Sequence, residues 1–347
     1  MKVESKVILP EIQINRILPS NYTAETSYIG VTQEVKLFNF GKAYVDSNAV
    51  IFRGFRWMKE TVPDAKSSFY QKQKLLVKLC FRTKIKSEKG AIFVAFDSFN
   101  VMYYHWLCDL LVRLFFFQKS VGKEFKVALP KSYYQNNFCL ASLRMLGIEK
   151  DQIIVIDRKE AVKSSEVFFV SSVLGGGLGK TTYDSAIIEL RDKVIKYCKS
   201  HEKLSFNLGK KIFISRSKQK KRIITNQKEV DCLMHKYGFS IINMEDLSFE
   251  DGVSVIYNAD CVISQCGSNL TNIMFCKEGA KVLELYPKKE YGDANGGTWF
   301  SELSQAFNLR HYYQYCAIDQ DNVVINEFHT DMIVDTEELE KNLKLFA

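Results

Sequence analysis

The first half of the chain alternates short apolar runs with polar and turn-forming segments. Five runs have the length and the β-branched or aromatic content of buried strands: 49–53, 91–96, 125–130, 152–157 and 167–173. Two longer apolar segments, 101–117 and 138–146, have helical length. This half is therefore predicted to be α/β, although the pattern defines few boundaries before position 90.

The second half has a more regular pattern. After a polar stretch at 199–211, predicted strands and helices alternate, with strands at 211–215, 239–244, 261–264 and 281–285 and helices at 227–237, 248–258 and 268–276. A helix at 300–307, a strand at 309–315 and a closing helix at 336–346 follow. Such alternation predicts parallel βαβ units with right-handed crossovers in a doubly wound, Rossmann-type sheet.

The length of the chain favours two domains. Its 347 residues exceed the size at which a single core stops growing, which is about 250–300 residues. The polar stretch places the boundary near position 200, so we expect an N-terminal domain at 1–200 and a C-terminal domain at 201–347, with the closing helix free to pack back on the first. Hydrophobic residues at 46% and charged residues at 25% exclude a disordered or collagen-like chain.

The cysteines and the net charge bear on the cellular compartment and on the kind of partner that the protein binds. The nine cysteines include no C-x-x-C pair and several lie in apolar runs, which favours buried, reduced thiols over disulfides or a zinc site. The N-terminus lacks the apolar region of a secretory signal, so a reducing cytoplasm is expected. A net charge of +8 is modest; it suits an anionic ligand or membrane surface and gives no concentrated stripe for nucleic acid.

Three polar residues interrupt the long apolar segment 101–117. His105, Asp109 and Arg113 are four positions apart, so on a helix they form one stripe. Ionisable groups at these positions argue against a membrane span and for a buried helix. Two interpretations stay open: a structural network in which Asp109 pairs with Arg113, or a cleft in which His105 or Asp109 is a general base and Arg113 orients it or binds an anion.

A cationic turn follows the predicted strand at 211–215. Its basic residues are Arg216, Lys218, Lys220, Lys221 and Arg222. Ligands of open α/β sheets bind outside the carboxyl ends of the strands, and forked guanidinium donors suit phosphate. The alternative is a solvated basic loop.

Two further features lie at the ends of later strands. The segment after strand 261–264 contains Gly267, Ser268, Asn269 and Thr271 at the start of a helix, where free N–H groups and hydroxyls favour an anion. Glu284, near the end of strand 281–285, is placed to accept from ribose hydroxyls or to pair with a neighbouring lysine. Together these residues predict a bound nucleoside diphosphate.

Three sequence segments resemble family 61 glycosyltransferases. The run NVMYYHWLCDLLVRL (100–114) is similar to the aromatic-His-Trp-Leu-x-Asp-x-x-x-Arg motif, and ISRSKQKKRIITNQKEV (214–230) to the Ile-Ser-Arg segment with its later Arg. The run ADCVISQCGSNLTNIMFCKEGAKVLEL (259–285) resembles the strand, the His-Gly-Ala-Gly-Leu-Thr-Asn turn and the Val-x-Glu-Leu strand. A later segment, 298–313, resembles the part that closes the nucleotide domain, so the resemblance covers 97–315.

The resemblance implies a GT-B architecture, in which two Rossmann-like domains face each other across a cleft. It implies an inverting hexosyl- or pentosyltransferase without an obligatory metal, which moves a sugar from a nucleoside-diphosphate donor, most simply a UDP-sugar, to a hydroxyl of a glycan acceptor. The matching residues are His105 and Asp109 as catalytic candidates; Arg113, Tyr104 and Asn100 on the acceptor side; and Arg216, Lys221, Arg222, Cys266, Gly267, Ser268, Asn269, Thr271 and Glu284 on the donor side.

One departure from the family pattern bears on activity. Cys266 stands where the family has histidine, and Asn269 where it has its second glycine. A catalytically inactive nucleotide- or glycan-binding protein in an assembly complex is therefore the alternative. The resemblance further implies assembly of bacterial capsule or lipopolysaccharide, with an oligosaccharide or lipid-linked acceptor, no nucleic acid, and a cytoplasmic location that extends to peripheral contact with the inner face of the membrane.

Overall fold

The structure is a computed structural model that describes residues 3–17, 19, 27–54, 56–61, 84–96, 102–174, 180–219, 221–287, 298–319 and 331–345. The chain forms two compact units. Unit 1 comprises Met1–Gln13, Val31–Gly175 and Lys180–Leu190, and unit 2 comprises Ile14–Gly30, Gly176–Gly179 and Arg191–Ala347. Segment 14–30, which the sequence placed in the first domain, therefore belongs to the second unit.

The described strands are, in chain order, β1 (Glu4–Leu9), β2 (Gln13–Ile17), β3 (Ser27–Val31), β4 (Val35–Asn39), β5 (Ala43–Asp46), β6 (Ile51–Arg53), β7 (Arg56–Trp57), β8 (Lys84–Ser87), β9 (Ala91–Val94), β10 (Phe125–Pro130), β11 (Ile153–Ile156), β12 (Glu160–Ser164), β13 (Glu166–Val170), β14 (Lys211–Ile214), β15 (Ser240–Ile242), β16 (Cys261–Gln265), β17 (Lys281–Pro287), β18 (Arg310–Ile318) and β19 (Met332–Ile333).

The helices are α1, which runs through Tyr103–His105, Trp106–Leu110 and Leu111–Ser120, then α2 (Lys131–Tyr134), α3 (Asn137–Met145), α4 (Asp184–Ser200), α5 (Gln227–Lys236), α6 (Phe249–Asn258), α7 (Trp299–Ala306) and α8 (Thr336–Leu345). Short 3-10 turns lie at Lys59–Thr61, Lys150–Gln152 and Met244–Asp246, and a longer 3-10 helix at Ser268–Phe275. Within the described ranges, no helix combines the length and apolarity needed to cross a membrane.

Unit 1 contains a six-stranded sheet in the order β1-β4-β13-β9-β10-β11. Strands β13, β9, β10 and β11 are parallel, whereas at one edge β4 pairs antiparallel with β13 and β1 pairs antiparallel with β4. A second sheet has the order β7-β6-β5-β12-β8. Helix α1 follows β9 and leads to β10 on one side of β9. Strand β13 pairs with β9 on its other side, so the order of strands reverses at β9.

Unit 2 contains a six-stranded sheet in the order β15-β14-β16-β17-β18-β19. All its neighbouring pairs are parallel except β18 and β19. The chain leaves β14 for β15 on one side and returns to β16 on the other, which makes the β14/β16 pair a topological switch point. In open α/β sheets the ligand crevice lies at this point, beyond the carboxyl ends of the strands.

One face of this sheet is closed by α5 and α8. Val230, Met234, Leu339 and Leu343 are buried in one cluster with apolar residues of the central strands. The sequence left the closing helix free to pack on the N-terminal domain, but its buried leucines belong to the core of unit 2, together with Val230 and Met234 of α5. The parallel architecture confirms an α/β fold, as the alternating pattern predicted.

Candidate functional site

The polar stripe of α1 includes a π-helical stretch, Trp106–Leu110. Asp109 and Arg113 are each 1% exposed, and Asp109 Oδ2 lies 3.0 Å from Arg113 Nη2. Asp109 Oδ1 accepts from Ser172 Oγ and from the Val173 N–H, both at 2.8 Å. Arg113 Nη1 donates to the Val170 carbonyl at 3.1 Å. These bonds tie α1 to the end of β13, and both Asp109 oxygens are engaged.

The stripe is thus divided between two environments. Asp109 and Arg113 form the structural network that was one of the two interpretations of their spacing. His105 lies one turn earlier and is partly exposed, with its ring 5.6 Å from that of Tyr104. The neighbouring Trp106 is anchored by its Nε1–H, which donates to Ser142 Oγ at 2.9 Å. Asn100 lies outside the described residues.

The cationic turn after β14 holds two guanidinium groups close together. Arg216 is 7% exposed, and its burial together with the charge of Arg222 lowers its pKa to about 10. Arg222 has a φ of 55°, a left-handed conformation that is uncommon for a residue with a side chain. Gln265 Nε2 donates to the Arg222 carbonyl at 3.1 Å and holds this turn against β16. Two adjacent cations, one buried and one partly buried, favour an anionic ligand.

The lysines of the turn differ from its arginines. Lys218 pairs with Asp246 at 2.6 Å, with both side chains about half exposed, and Lys221 is exposed. Lys220 lies outside the described residues. The interpretation of this turn as a solvated basic loop therefore fits the described lysines, while the two arginines lie against the strand ends.

The turn after β16 lies directly against Arg216. A Cβ built on Gly267 would be 2.5 Å from Arg216 Nη1, so the guanidinium occupies the space that a side chain would need. The segment Ser268–Phe275 is a 3-10 helix, where the sequence predicted an α-helix. Cys266 carries no charge at neutral pH, because burial and the neighbouring Glu284 carboxylate raise its pKa well above the usual value.

Glu284 is fully buried on β17 and pairs with a histidine. Its Oε2 lies 3.1 Å from His311 Nε2, whose ring is 4% exposed. His311 Nδ1 is in turn 2.8 Å from Ser304 Oγ on α7. The alternative partner suggested by the sequence was a lysine, so His311 and Ser304 are site residues that sequence reasoning missed. The register of β17 against β18 brings His311 to Glu284, and α7 brings Ser304 to His311.

Buried polar atoms without a hydrogen-bond partner gather at this end of the unit 2 sheet. Of the nine such atoms in the part of the chain that the structure describes, six lie here: Arg216 Nε, Arg222 Nε, Gln265 Oε1, Asn269 Nδ2, Thr271 Oγ1 and Glu284 Oε1; the other three, Arg113 Nε, Asn136 Nδ2 and Arg191 Nε, lie elsewhere. Buried polar groups are nearly always paired, so a group of orphans at one place indicates that a ligand completes them. The donors and the guanidinium charges suit phosphate oxygens, and the free carboxylate oxygen suits hydroxyl groups.

The cysteines and the acidic residues show no arrangement for a metal ion among the described residues. Within the described ranges, no three His, Cys, Asp or Glu side chains lie together in a way that could hold a metal ion. All eight cysteines of the described residues are free, and six of them are buried, as their apolar surroundings predicted.

Comparison with known proteins assigns the family. A comparison with curated protein sequences gave no match. The family model described as Glycosyltransferase 61 matches residues 103–283, just over half of the chain. The match begins at α1 and ends within β17, so it includes the polar stripe, the cationic turn and the turn after β16. The chain therefore belongs to the Glycosyltransferase 61 family, and this membership implies glycosyltransferase activity.

Proposed function

We propose that this protein is an inverting glycosyltransferase that moves a hexose or pentose from a nucleoside-diphosphate donor, a UDP-sugar, to a hydroxyl of a glycan acceptor. The observation that carries the proposal is the pair of guanidinium groups at the β14/β16 switch point, surrounded by buried polar atoms that lack a partner. A diphosphate supplies the charge and the acceptors that this group of donors lacks.

Two sets of residues bind different parts of the donor, one the diphosphate and the other the ribose. Arg216, Arg222 and Lys221 take the diphosphate, with the side chains of Asn269 and Thr271 as further donors. The small turn at Gly267 lets the phosphates approach the backbone beside Arg216. Glu284 accepts from the ribose through its free Oε1. No metal is needed in this scheme, because the guanidinium groups balance the charge of the leaving diphosphate.

The proposed base is His105. A carboxylate that already accepts from Ser172 and Val173 and pairs with Arg113 has no free oxygen for an incoming proton, which argues against Asp109 as the base. The imidazole takes the proton of the acceptor hydroxyl while its oxygen attacks the anomeric carbon. The bond from that carbon to the diphosphate breaks, and the electron pair leaves on the phosphate oxygen.

The architecture proposed for this reaction is GT-B. Each unit has its own mainly parallel α/β sheet with a switch point, which is the organisation that this architecture requires. A role in bacterial capsule or lipopolysaccharide assembly, in the cytoplasm at the inner face of the membrane and with a lipid-linked acceptor, is supported by the resemblance and by the net charge of +8.

The donor site is tested by titration calorimetry with UDP. The variants Arg216→Ala and Arg222→Ala should each weaken UDP binding by about tenfold or more, because a charge-assisted bond to phosphate is lost. Lys218→Ala is the matched control: it removes a positive charge from the same turn, but one that is already paired with Asp246. Equal affinities in the wild type and both arginine variants would contradict the proposed donor site.

The inactive alternative is favoured by Cys266 and needs a separate measurement. The wild-type protein is incubated with UDP-sugars and an acceptor glycan panel, and release of UDP is followed with and without EDTA. Transfer activity should appear and should be equal in both conditions. Tight UDP binding without release of UDP across the panel would favour a binding protein, and activity lost in EDTA would contradict the metal-independent scheme.

A further inference from the structure

A chain of three buried polar side chains ends at the free oxygen of Glu284. Ser304 Oγ lies 2.8 Å from His311 Nδ1, and His311 Nε2 lies 3.1 Å from Glu284 Oε2. All three side chains are shielded from solvent. The other carboxylate oxygen, Oε1, has no hydrogen-bond partner among the described residues. His311 thus holds one oxygen of the carboxylate, the Cys266 thiol neighbours the same carboxylate, and Oε1 stays available to a ligand.

Strand register explains why these side chains meet. His311 pairs with Val282 across β17 and β18, two positions before Glu284. Side chains two apart on a strand share a face, so His311 is the diagonal neighbour of Glu284. Ser304, on the helix that covers this face, contacts the far nitrogen of the ring. The imidazole is thus held from both ends.

The direction of the hydrogen bonds follows from the chemistry of the groups. An ionised carboxylate only accepts, so His311 Nε2 carries the hydrogen that Glu284 Oε2 receives. Ser304 at Nδ1 then fixes the orientation of the ring. With Oε2 held by His311, rotation of the carboxylate is restricted, and Oε1 keeps one direction relative to the strand end.

We propose that His311, held by Ser304, is a positioning residue that orients Glu284 toward the ribose diol and makes the donor site selective for ribonucleotides. The inference rests on the proposed function, because it assumes that a nucleoside diphosphate occupies the strand-end site. It goes beyond that function by naming the residues that set selectivity for the sugar of the nucleotide. His311 itself does not touch the ligand in this scheme.

The test compares UDP with 2′,3′-dideoxy-UDP by titration calorimetry, and GDP with its dideoxy analogue in parallel. Wild-type protein should bind the ribonucleotide about tenfold tighter or more, because hydroxyl bonds to a buried carboxylate are charge-assisted. In His311→Ala this preference should fall to nearly one, through weaker binding of the ribonucleotide and unchanged binding of the dideoxy analogue. A general loss of structure would weaken both ligands alike.

Three further variants sharpen the result. His311→Gln should recover most of the preference, since its amide can donate to Glu284 and accept from Ser304, and Ser304→Ala should give an intermediate value. His235→Ala, which removes an exposed histidine of the same unit, should keep the wild-type preference. Circular dichroism checks folding, and the glutamine and serine variants decide the matter if the alanine variant unfolds.

The outcomes separate this inference from the proposed function. An unchanged preference in folded His311→Ala, or equal binding of ribo- and dideoxynucleotide by the wild type, overturns the positioning role alone and leaves the diphosphate site intact. Absence of any nucleotide binding by the wild type overturns both.

Discussion

At the scale of single residues, the donor site depends on the close approach of the Arg216 guanidinium to the backbone of Gly267. Gly267 has an extended backbone, so its importance lies in space and not in conformational freedom. Arg222, by contrast, holds a left-handed φ of 55°, a conformation that costs energy and is found at functional sites. Gln265 offsets this cost by its bond to the Arg222 carbonyl. The two arginines are therefore placed by neighbours that carry no charge.

The variant Gly267→Ala tests this placement. Its new methyl group would lie 2.5 Å from Arg216 Nη1, so the guanidinium must move, and UDP affinity measured by calorimetry should fall by about tenfold. Gly122→Ala is the control, because a Cβ there meets nothing within 4 Å. The unfolding free energy of both variants should stay within about 1 kcal/mol of wild type. Wild-type affinity in Gly267→Ala would show that Arg216 does not bind the nucleotide from this position.

At the scale of elements, α1 is fixed to unit 1 by its polar stripe. The ion pair of Asp109 and Arg113 is buried inside an apolar helix and reaches the chain after β13 through Ser172 and Val173. The π-helical stretch of α1 contains Asp109, and π-helical segments within α-helices often mark functional sites. The stripe predicted by spacing is real, but most of it serves to hold the helix that carries His105.

Substitution of the pair separates a structural role from a catalytic one. Asp109→Asn should lower the free energy of unfolding, measured in urea, by about 3–5 kcal/mol, because Arg113 is left buried without its counter-charge. The double variant Asp109→Leu with Arg113→Leu should recover much of that loss, since apolar side chains replace both charges. If Asp109→Asn were as stable as wild type yet inactive, Asp109 and not His105 would be the better candidate for the base.

At the scale of the whole molecule, each unit contributes a different part of the proposed chemistry. Unit 2 carries the diphosphate residues and takes in segment 14–30, where Arg16 lies 3.8 Å from Glu302 and Tyr28 bonds the same carboxylate. Unit 1 carries the proposed base on α1. Donor binding and proton removal should therefore respond to different substitutions.

This division predicts that two variants change different quantities, one the rate of transfer and the other the affinity for the donor. His105→Ala should lower the rate of UDP release by about 10²-fold or more while the calorimetric affinity for UDP stays at the wild-type value. Arg216→Ala should weaken the affinity itself. His235→Ala, an exposed histidine, serves as the control and should change neither quantity. Equal turnover in His105→Ala and wild type, with the protein folded, would remove His105 as the base.

The parallel part of the fold follows from the order of residues along the chain. Strands such as β10 and β17 are short, mainly apolar runs, and the helices between them have helical length and an apolar face, so the bounds of these elements were predicted to within a few residues. The basic turn and the small-residue turn were also evident, because residue type and position at strand ends are local properties. The short strands before β8 were largely missed, since β4, for example, pairs with β13, more than a hundred positions away.

Which of these residues meet became evident only from the three-dimensional fold. It joined Glu284 to His311 and Ser304, satisfied both oxygens of Asp109, and packed Arg216 over Gly267. The physical reason is that strand register and the order of strands in a sheet are set by non-local pairing and burial. A pattern along one chain gives the chemistry each residue can perform, whereas the choice of its partner depends on contacts between distant segments.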